Sequence, residues 1–588
     1  MKHKFGLLAV LPLLLLSSCD FAFFTSDETK NVVVYDLDKI EDNDNLNAAK
    51  QQEIKAVFRK NKEHVPYVSL KQYASLYNSR FVDGVKSSVR KESFSSVLWT
   101  IYVGEDPYFV SEISVFSKEI LVAGSIESVL KGEDNPIDTG ALLHGLKTEY
   151  EGKFLSSRSY ATYSFEDHNV DYVSLGGEFY FPLTFLDLTF SGDSGVYFYY
   201  NYASIYATHD VDNYSAKSFK IDNKSYTVDS QMKERNTLKN MPEYLKQLNA
   251  NMFFYLIDNF YGLKEEKGFS SMKDLCIKTG LYKYFFDDNP LYRAQAYADA
   301  VSYFDDNHTA IVSANDTWGE NTFGNFQYAT GCINRSLLRN QNTITRNTSY
   351  ELINKKVGDI VLSADGTVAM YVMDSFSFGT SEEVFNEDGS INYEKARAVD
   401  TFYDLVYVLN SLKGTSVKWV ALDISTNGGG VVGVLMKILC LISKDNKSYF
   451  HYYDSNTTQL AIAESQIDIN GDGVYDQDDC FGDDFNFCLL TSDCSFSCGN
   501  ALPCYAKQFG TAKIIGGKSG GGECAVGIHY LPNSQYVYHS SSMHIGYYDE
   551  KNQEFKGFEG GATPDYDIKG DYVSLYDIES INSIIKGF

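Results

Sequence analysis

The sequence predicts an α/β protein: a mainly parallel sheet with helices, preceded by a helical section and a β-rich domain. Three observations predict it. From Lys356 onward, short apolar strands alternate with helical patterns, the order that builds a parallel sheet. Between residues 231 and 305 apolar residues recur at helical spacing, as in Leu245, Leu248, Met252 and Leu256. Between residues 65 and 230 the pattern is strand-like and aromatic, as over 177–181 and 196–200.

The chain opens on Lys2 and Lys4, followed by an apolar run over 5–16. A spanning helix needs roughly 20 residues, so the run fits a secretory signal instead. It ends Leu16-Ser17-Ser18-Cys19, which resembles a bacterial lipobox. The expectation is a signal over 1–19, lipidation of Cys19, and a location on the outer, extracytoplasmic side of the cell membrane, held by the lipid. Residues 20–64 are polar and charged and read as a tether.

The chain is acidic, with a net charge of −27, which argues against nucleic acid as a partner. Tyr (45) and Phe (39) are abundant and Pro (10) is scarce, so packed domains are expected beyond the tether. In the β-rich domain over 65–230 a short helix is expected over 70–77. Its aromatic residues leave a glycan-binding surface as one reading of that half. Ten cysteines are present, six of them from Cys480 to Cys524. An exported location permits disulfides. No Cys or His pairs follow one another at zinc-finger spacing.

The helical section runs over 231–355 and contains Asp305-Asp306-Asn307-His308-Thr309; residues 310–350 read as polar and loop-rich. The core over 356–588 is expected to place strands over 360–362, 368–372, 417–424, 487–490 and 512–515. Helices are expected over 393–412, 431–442 and 497–509. The continuous apolar run over 417–424 is the type buried on both faces.

Two junctions of that core stand out. Asn427-Gly428-Gly429-Gly430 joins a buried strand to a helix. Its glycines let the backbone turn and bring bare N–H groups to a ligand. It lacks the Lys-Ser/Thr ending of a phosphate loop. The segment 491–500, Thr-Ser-Asp-Cys-Ser-Phe-Ser-Cys-Gly-Asn, also follows a buried strand. Ser497 there can be a helix cap or a presented nucleophile.

These two segments, followed by Ile514-Ile515-Gly516 and the Gly-rich run to Gly522, resemble the tail-specific (C-terminal processing) protease family over about 235–588. The resemblance implies a ClpP/crotonase-like core and a serine peptidase that uses no cofactor for catalysis. It places Ser497 on the nucleophile. Many members pair that Ser with a Lys about 25 residues later, but the aligned position holds Gly522, and Lys518 lies four residues early. The tricorn-like branch uses Ser, His and Glu. Its His segment is similar to Asp305–Thr309 and its Glu segment to Phe558-Glu559-Gly560-Gly561-Ala562-Thr563-Pro564-Asp565. The implied triad is Ser497, His308 as base and Glu559 orienting the imidazole, with oxyanion donors at Gly428 or Gly429 and Cys498. The implied partner is a protein or peptide substrate. A catalytically inactive lipoprotein that binds peptides in the same cleft is the alternative.

Within the core, residues 468–479 read Asp-Ile-Asn-Gly-Asp-Gly-Val-Tyr-Asp-Gln-Asp-Asp. Oxygen donors at Asp468, Asn470, Asp472, Asp476 and Asp479, the Val474 carbonyl and Gly473 at the sixth position match an EF-hand-type calcium loop. A structural Ca2+ is the expectation.

Overall fold

The computed structural model describes residues 27–36, 49–124, 126, 140–155, 160–200, 203–208, 218–221, 224–227, 241–312, 325–326, 329–533 and 535–588. Cys19 and its apolar run lie outside them. No helix among the described residues is long and apolar enough to cross a membrane.

The core is a six-stranded sheet ordered Val361–Leu362, Val368–Val372, Trp419–Asp423, Asn486–Thr491, Ala512–Gly516 and Tyr566–Asp567. All neighbours are parallel except the first pair. Alternation explains its unbroken apolar strands. Ala369, Tyr371, Val420, Leu422, Phe487 and Leu489 face one apolar cluster. Val368, Met370, Ala421, Cys488 and Leu490 face another. A strand buried on both faces needs no polar face. The first cluster is covered by helices Thr401–Leu412, Val432–Leu441 and Cys498–Phe509. The second is covered by Ile578–Ile585 and by Tyr350 of the helix Thr330–Leu352.

Beside this core lies a mainly antiparallel sheet centred on Tyr536–Asp549, which pairs with Ala310–Val312, Ser448–Asp454, Cys524–Tyr530 and Glu554–Gly557. Leu146–Phe154 from the front half joins its edge through Gln459–Ile467. The described residues of the front half form a seven-stranded, a five-stranded and a two-stranded sheet.

Several expectations are corrected. The tether 20–64 contains the strands Glu28–Asp36 and Ala49–Arg59, which pair with each other in the seven-stranded sheet. Val32, Val34 and Ile54 are buried there, so these two strands are part of the domain. The described part of 310–350, read as loop-rich, carries most of the 23-residue helix Thr330–Leu352. Its buried stripe is Cys332, Asn342, Arg346 and Tyr350, while Ile333, Leu337 and Ile344 are exposed. The helix expected over 393–412 breaks at Asp400, whose carboxylate caps the second piece through the Tyr403 N–H. Six aromatics of the front half build its core: Tyr73, Tyr77, Trp99, Phe109, Phe190 and Phe198 pack ring on ring. All nine cysteines of the described residues are free thiols.

Candidate active site

Because Trp419–Asp423 and Asn486–Thr491 are parallel neighbours, the loops after them emerge side by side at one sheet edge, where α/β sites gather. Asn427 laces them together. Its amide donates to the Met373 carbonyl (2.9 Å) and accepts from the Gly429 N–H (2.8 Å), and its own carbonyl accepts from the Phe496 N–H (3.0 Å). Ser492 and Ser495 bind the Ser425 and Ile424 carbonyls at 2.5 and 2.7 Å.

Ser497 sits at the tip of the second loop with φ +57° and ψ −127°. A non-glycine residue pays strain there, of order 1–3 kcal/mol, and such a bend between strand and helix is how a nucleophilic hydroxyl is presented. Its N–H donates to the Gly521 carbonyl at 2.9 Å and its carbonyl accepts from Asn500 and Ala501. Its hydroxyl makes no capping bond to the helix it precedes, so the cap reading fails. A Cβ on Gly429 would lie 2.7 Å from the Ser497 Cβ and 3.1 Å from the Cys498 nitrogen, so only glycine permits this approach.

The oxyanion candidates separate. The Gly429 N–H is turned onto Asn427 Oδ1 and is not available. Gly428 and Cys498 make no N–H bond among the described residues. The Cys498 thiol donates to the Gly430 carbonyl (3.1 Å); burial pushes it up to about 12, which rules it out as a nucleophile at neutral pH.

His308 stands in the turn before Ala310–Val312. Asp306 fixes that turn. It accepts from the His308 N–H (2.9 Å), Thr309 Oγ1 (2.6 Å), Ser540 Oγ (2.8 Å) and the Tyr261 hydroxyl (3.2 Å). Asp305 accepts from the Gly331 and Cys332 N–H groups, capping the long helix. The imidazole packs edge-on to Phe496, 4.8 Å between centroids. Its Nδ1 has no hydrogen-bond partner among the described residues. Burial holds its pKa below the ordinary value, opposed by the Asp306 charge and the Cys524 backbone.

Glu559 Oε2 accepts from the Gly522 and Glu523 N–H groups at 2.9 and 3.1 Å. Burial raises its carboxyl pKa, against those two bonds and helped by the Asp306 charge. Ser497 thus bonds Gly521, Glu559 bonds the adjoining Gly522 and Glu523, and His308 touches Phe496, the neighbour of Ser497. No ion pair joins Glu559 to His308 among the described residues. Lys518 is exposed. Gly522 has φ +83°, and a Cβ there would meet the Phe496 ring at 2.5 Å, so the family's usual lysine has no room.

Sequence reasoning missed Asp306 and Asn500. Asn500 donates to the Phe558 carbonyl (2.9 Å) and accepts from Ser519 Oγ (2.7 Å), which in turn accepts from the Ala562 N–H (2.7 Å); this holds the Glu559 turn. An Asp two residues before His308 carried a turn signal; Asn500 carried none.

Residues 389–568 match the model of peptidase family S41. No curated protein matches the chain. Solved structures with similarity include a candidate peptidase from Parabacteroides merdae (16% identity, 58% of this chain and 96% of that one, TM-score 0.41). Mature CPAF is 11% identical over 58% of this chain and 98% of its own, TM-score 0.36. The tricorn protease is 11% identical, with 95% of this chain and 58% of that one covered, TM-score 0.33.

Proposed function

We propose that this chain, a serine-type peptidase of the tail-specific S41 family by its residues 389–568, cleaves exported proteins or peptides through an acyl-enzyme on Ser497. One observation carries the reading. Ser497 is held at φ +57° with an uncapped hydroxyl, beside two unengaged N–H groups and within one residue of the ring that His308 touches.

In this reading the imidazole takes the Ser497 proton as the oxygen attacks the scissile carbonyl. The Gly428 and Cys498 N–H groups receive the developing oxyanion; one such donor is worth about 10²–10³ in rate. The imidazolium returns the proton to the leaving amine, and water repeats the sequence on the ester. Glu559 completes the triad by turning from its backbone donors toward the unpartnered His308 Nδ1.

A fluorophosphonate tests this. Wild type is expected to be labelled at Ser497 and Ser497→Ala not at all. No labelling of folded wild type would favour the alternative, a catalytically inactive lipoprotein that binds peptides in this cleft.

Two further parts of the reading have their own tests. Cys19 is the lipidation site that holds the protein on the outer face of the cell membrane; Cys19→Ala should move it to the soluble fraction. The 468–479 loop holds a structural Ca2+. Its donors are all oxygen, suited to a hard cation. Asp468 already accepts from the Gly471 and Gly473 N–H groups (2.7 and 2.9 Å), folding the loop around its first carboxylate. Ca2+ added to chelator-treated protein should raise the unfolding temperature of wild type and not of Asp468→Ala.

A further inference from the structure

Behind the cleft, three side chains with no part in the proposed chemistry meet. Cys524 and His544 are register partners on the paired strands Cys524–Tyr530 and Tyr536–Asp549; Glu523 precedes the first strand. All are buried, at 6% (Glu523), 1% (Cys524) and 6% (His544) exposure. Cys524 Sγ lies 3.6 Å and Glu523 Oε1 2.7 Å from the same atom, His544 Nδ1. Their ligand atoms all fall within 4.8 Å of one another.

The tautomer is set from the other side of the ring. His544 Nε2 lies 3.3 Å from Ser455 Oγ, and that hydroxyl donates to the Ser542 carbonyl (3.3 Å). With the hydroxyl hydrogen so placed, Ser455 accepts from an Nε2–H, the arrangement that leaves Nδ1 to ligate. The Nδ1 lone pair is left facing a carboxylate and a sulfur. A proton on Nδ1 or a metal cation satisfies these three atoms, and thiol, imidazole and carboxylate together are a zinc ligand set.

We propose that Glu523, Cys524 and His544 hold a zinc ion. With Zn–S about 2.3 Å and Zn–N about 2.05 Å, tetrahedral geometry sets sulfur and nitrogen about 3.6 Å apart, the spacing observed. Nitrogen and oxygen would stand about 3.3 Å apart, an opening of roughly 0.6 Å. The thiolate selects a borderline-soft metal over calcium or magnesium. The outer partners that zinc ligands need are in place: Nε2–H on Ser455, and Glu523 Oε2 accepting the Glu559 N–H at 2.6 Å. Through that last bond the metal braces the turn carrying Glu559. Binding displaces the Cys524 thiol proton to solvent and changes no oxidation state. Sequence spacing hid the site, because two of its ligands meet only across paired strands.

The test uses the purified full chain, stripped with a chelator and titrated with Co2+. One equivalent should produce a thiolate-to-cobalt charge-transfer band, which Zn2+ then abolishes, and Zn2+ should raise the unfolding temperature of the stripped protein. Ser455→Ala should weaken cobalt binding by about tenfold, and Cys524→Ser should lose the band. Absence of the band in wild type overturns the site, as does its persistence in Cys524→Ser. A His544→Gln chain with native circular dichroism and undiminished cobalt affinity overturns it too.

Discussion

The His308 imidazole rests edge-on against Phe496, 4.8 Å between centroids and 65° between planes, and Phe496 is the residue before Ser497. The Arg335 guanidinium lies 4.9 Å from the same ring, and Gly522 passes close against its edge. Phe496 is thus the spacer that sets base against nucleophile. Phe496→Ala should cost about 3 kcal/mol in stability and lower kcat on the order of 10²-fold through misplacement of the base. Fluorophosphonate labelling should slow without vanishing. Unchanged kcat would remove Phe496 from the positioning of His308.

Gly522 occupies the position where the resemblance would put a lysine. Its φ of +83° and the 2.5 Å approach of Phe496 to any Cβ exclude a side chain on two counts. Gly522→Lys should therefore abolish activity rather than create a Ser–Lys dyad, and destabilise by about 2–4 kcal/mol. Urea denaturation with a peptide assay reads both. A Gly522→Lys enzyme that is stable and active would mean the triad is not in use.

The pH profile follows from His308. Burial lowers its pKa and the Asp306 charge opposes that. The base works only when neutral, so the acidic limb of kcat/KM should lie below the ordinary histidine value of about 6.5. Asp306→Asn removes the opposing charge and should move that limb further toward acid, while loosening a turn that Asp306 ties to Ser540 and Tyr261. A limb that moves toward alkali in Asp306→Asn would show that another group is the base.

How much of this was legible in the sequence depends on what each residue type signals. The parallel core was legible because strands such as Trp419–Asp423 are apolar on both faces. The glycine turn and the Ser497 loop were legible as motifs at strand ends. The helix Thr330–Leu352 was not, because it packs through Asn342 and Arg346 while its apolar Ile333, Leu337 and Ile344 are exposed. The strands Glu28–Asp36 and Ala49–Arg59 were hidden by their charged outer positions, such as Lys30, Lys55 and Arg59. The engagement of the Gly429 N–H by Asn427 depends on a side-chain rotamer, which no spacing encodes.

Arg346 supplies the sharpest test of how the site is supported. It is 1% exposed and lies beneath the glycine turn. It binds Asp374 through two parallel bonds of 2.7 Å, donates to Thr426 Oγ1 at 2.9 Å and stands 3.5 Å from Asp423 Oδ2. Asp423 is fully buried at the end of the strand that leads into the turn. Burial raises its carboxyl pKa and Arg346 opposes that rise. Arg346→Met strands the Asp423 charge, so a loss of about 3–5 kcal/mol is expected at pH 7. In that variant the folded-state pKa of Asp423 rises further above its unfolded value. The native state then binds more protons, and the deficit should shrink as pH falls toward 5. Asp423→Asn added to Arg346→Met should recover part of the loss at pH 7, through a coupling of about 1–3 kcal/mol. Urea denaturation of the four chains at both pH values measures each term. Equal losses at pH 7 and pH 5, with no recovery in the double variant, would mean that Asp374 alone accounts for the role of Arg346.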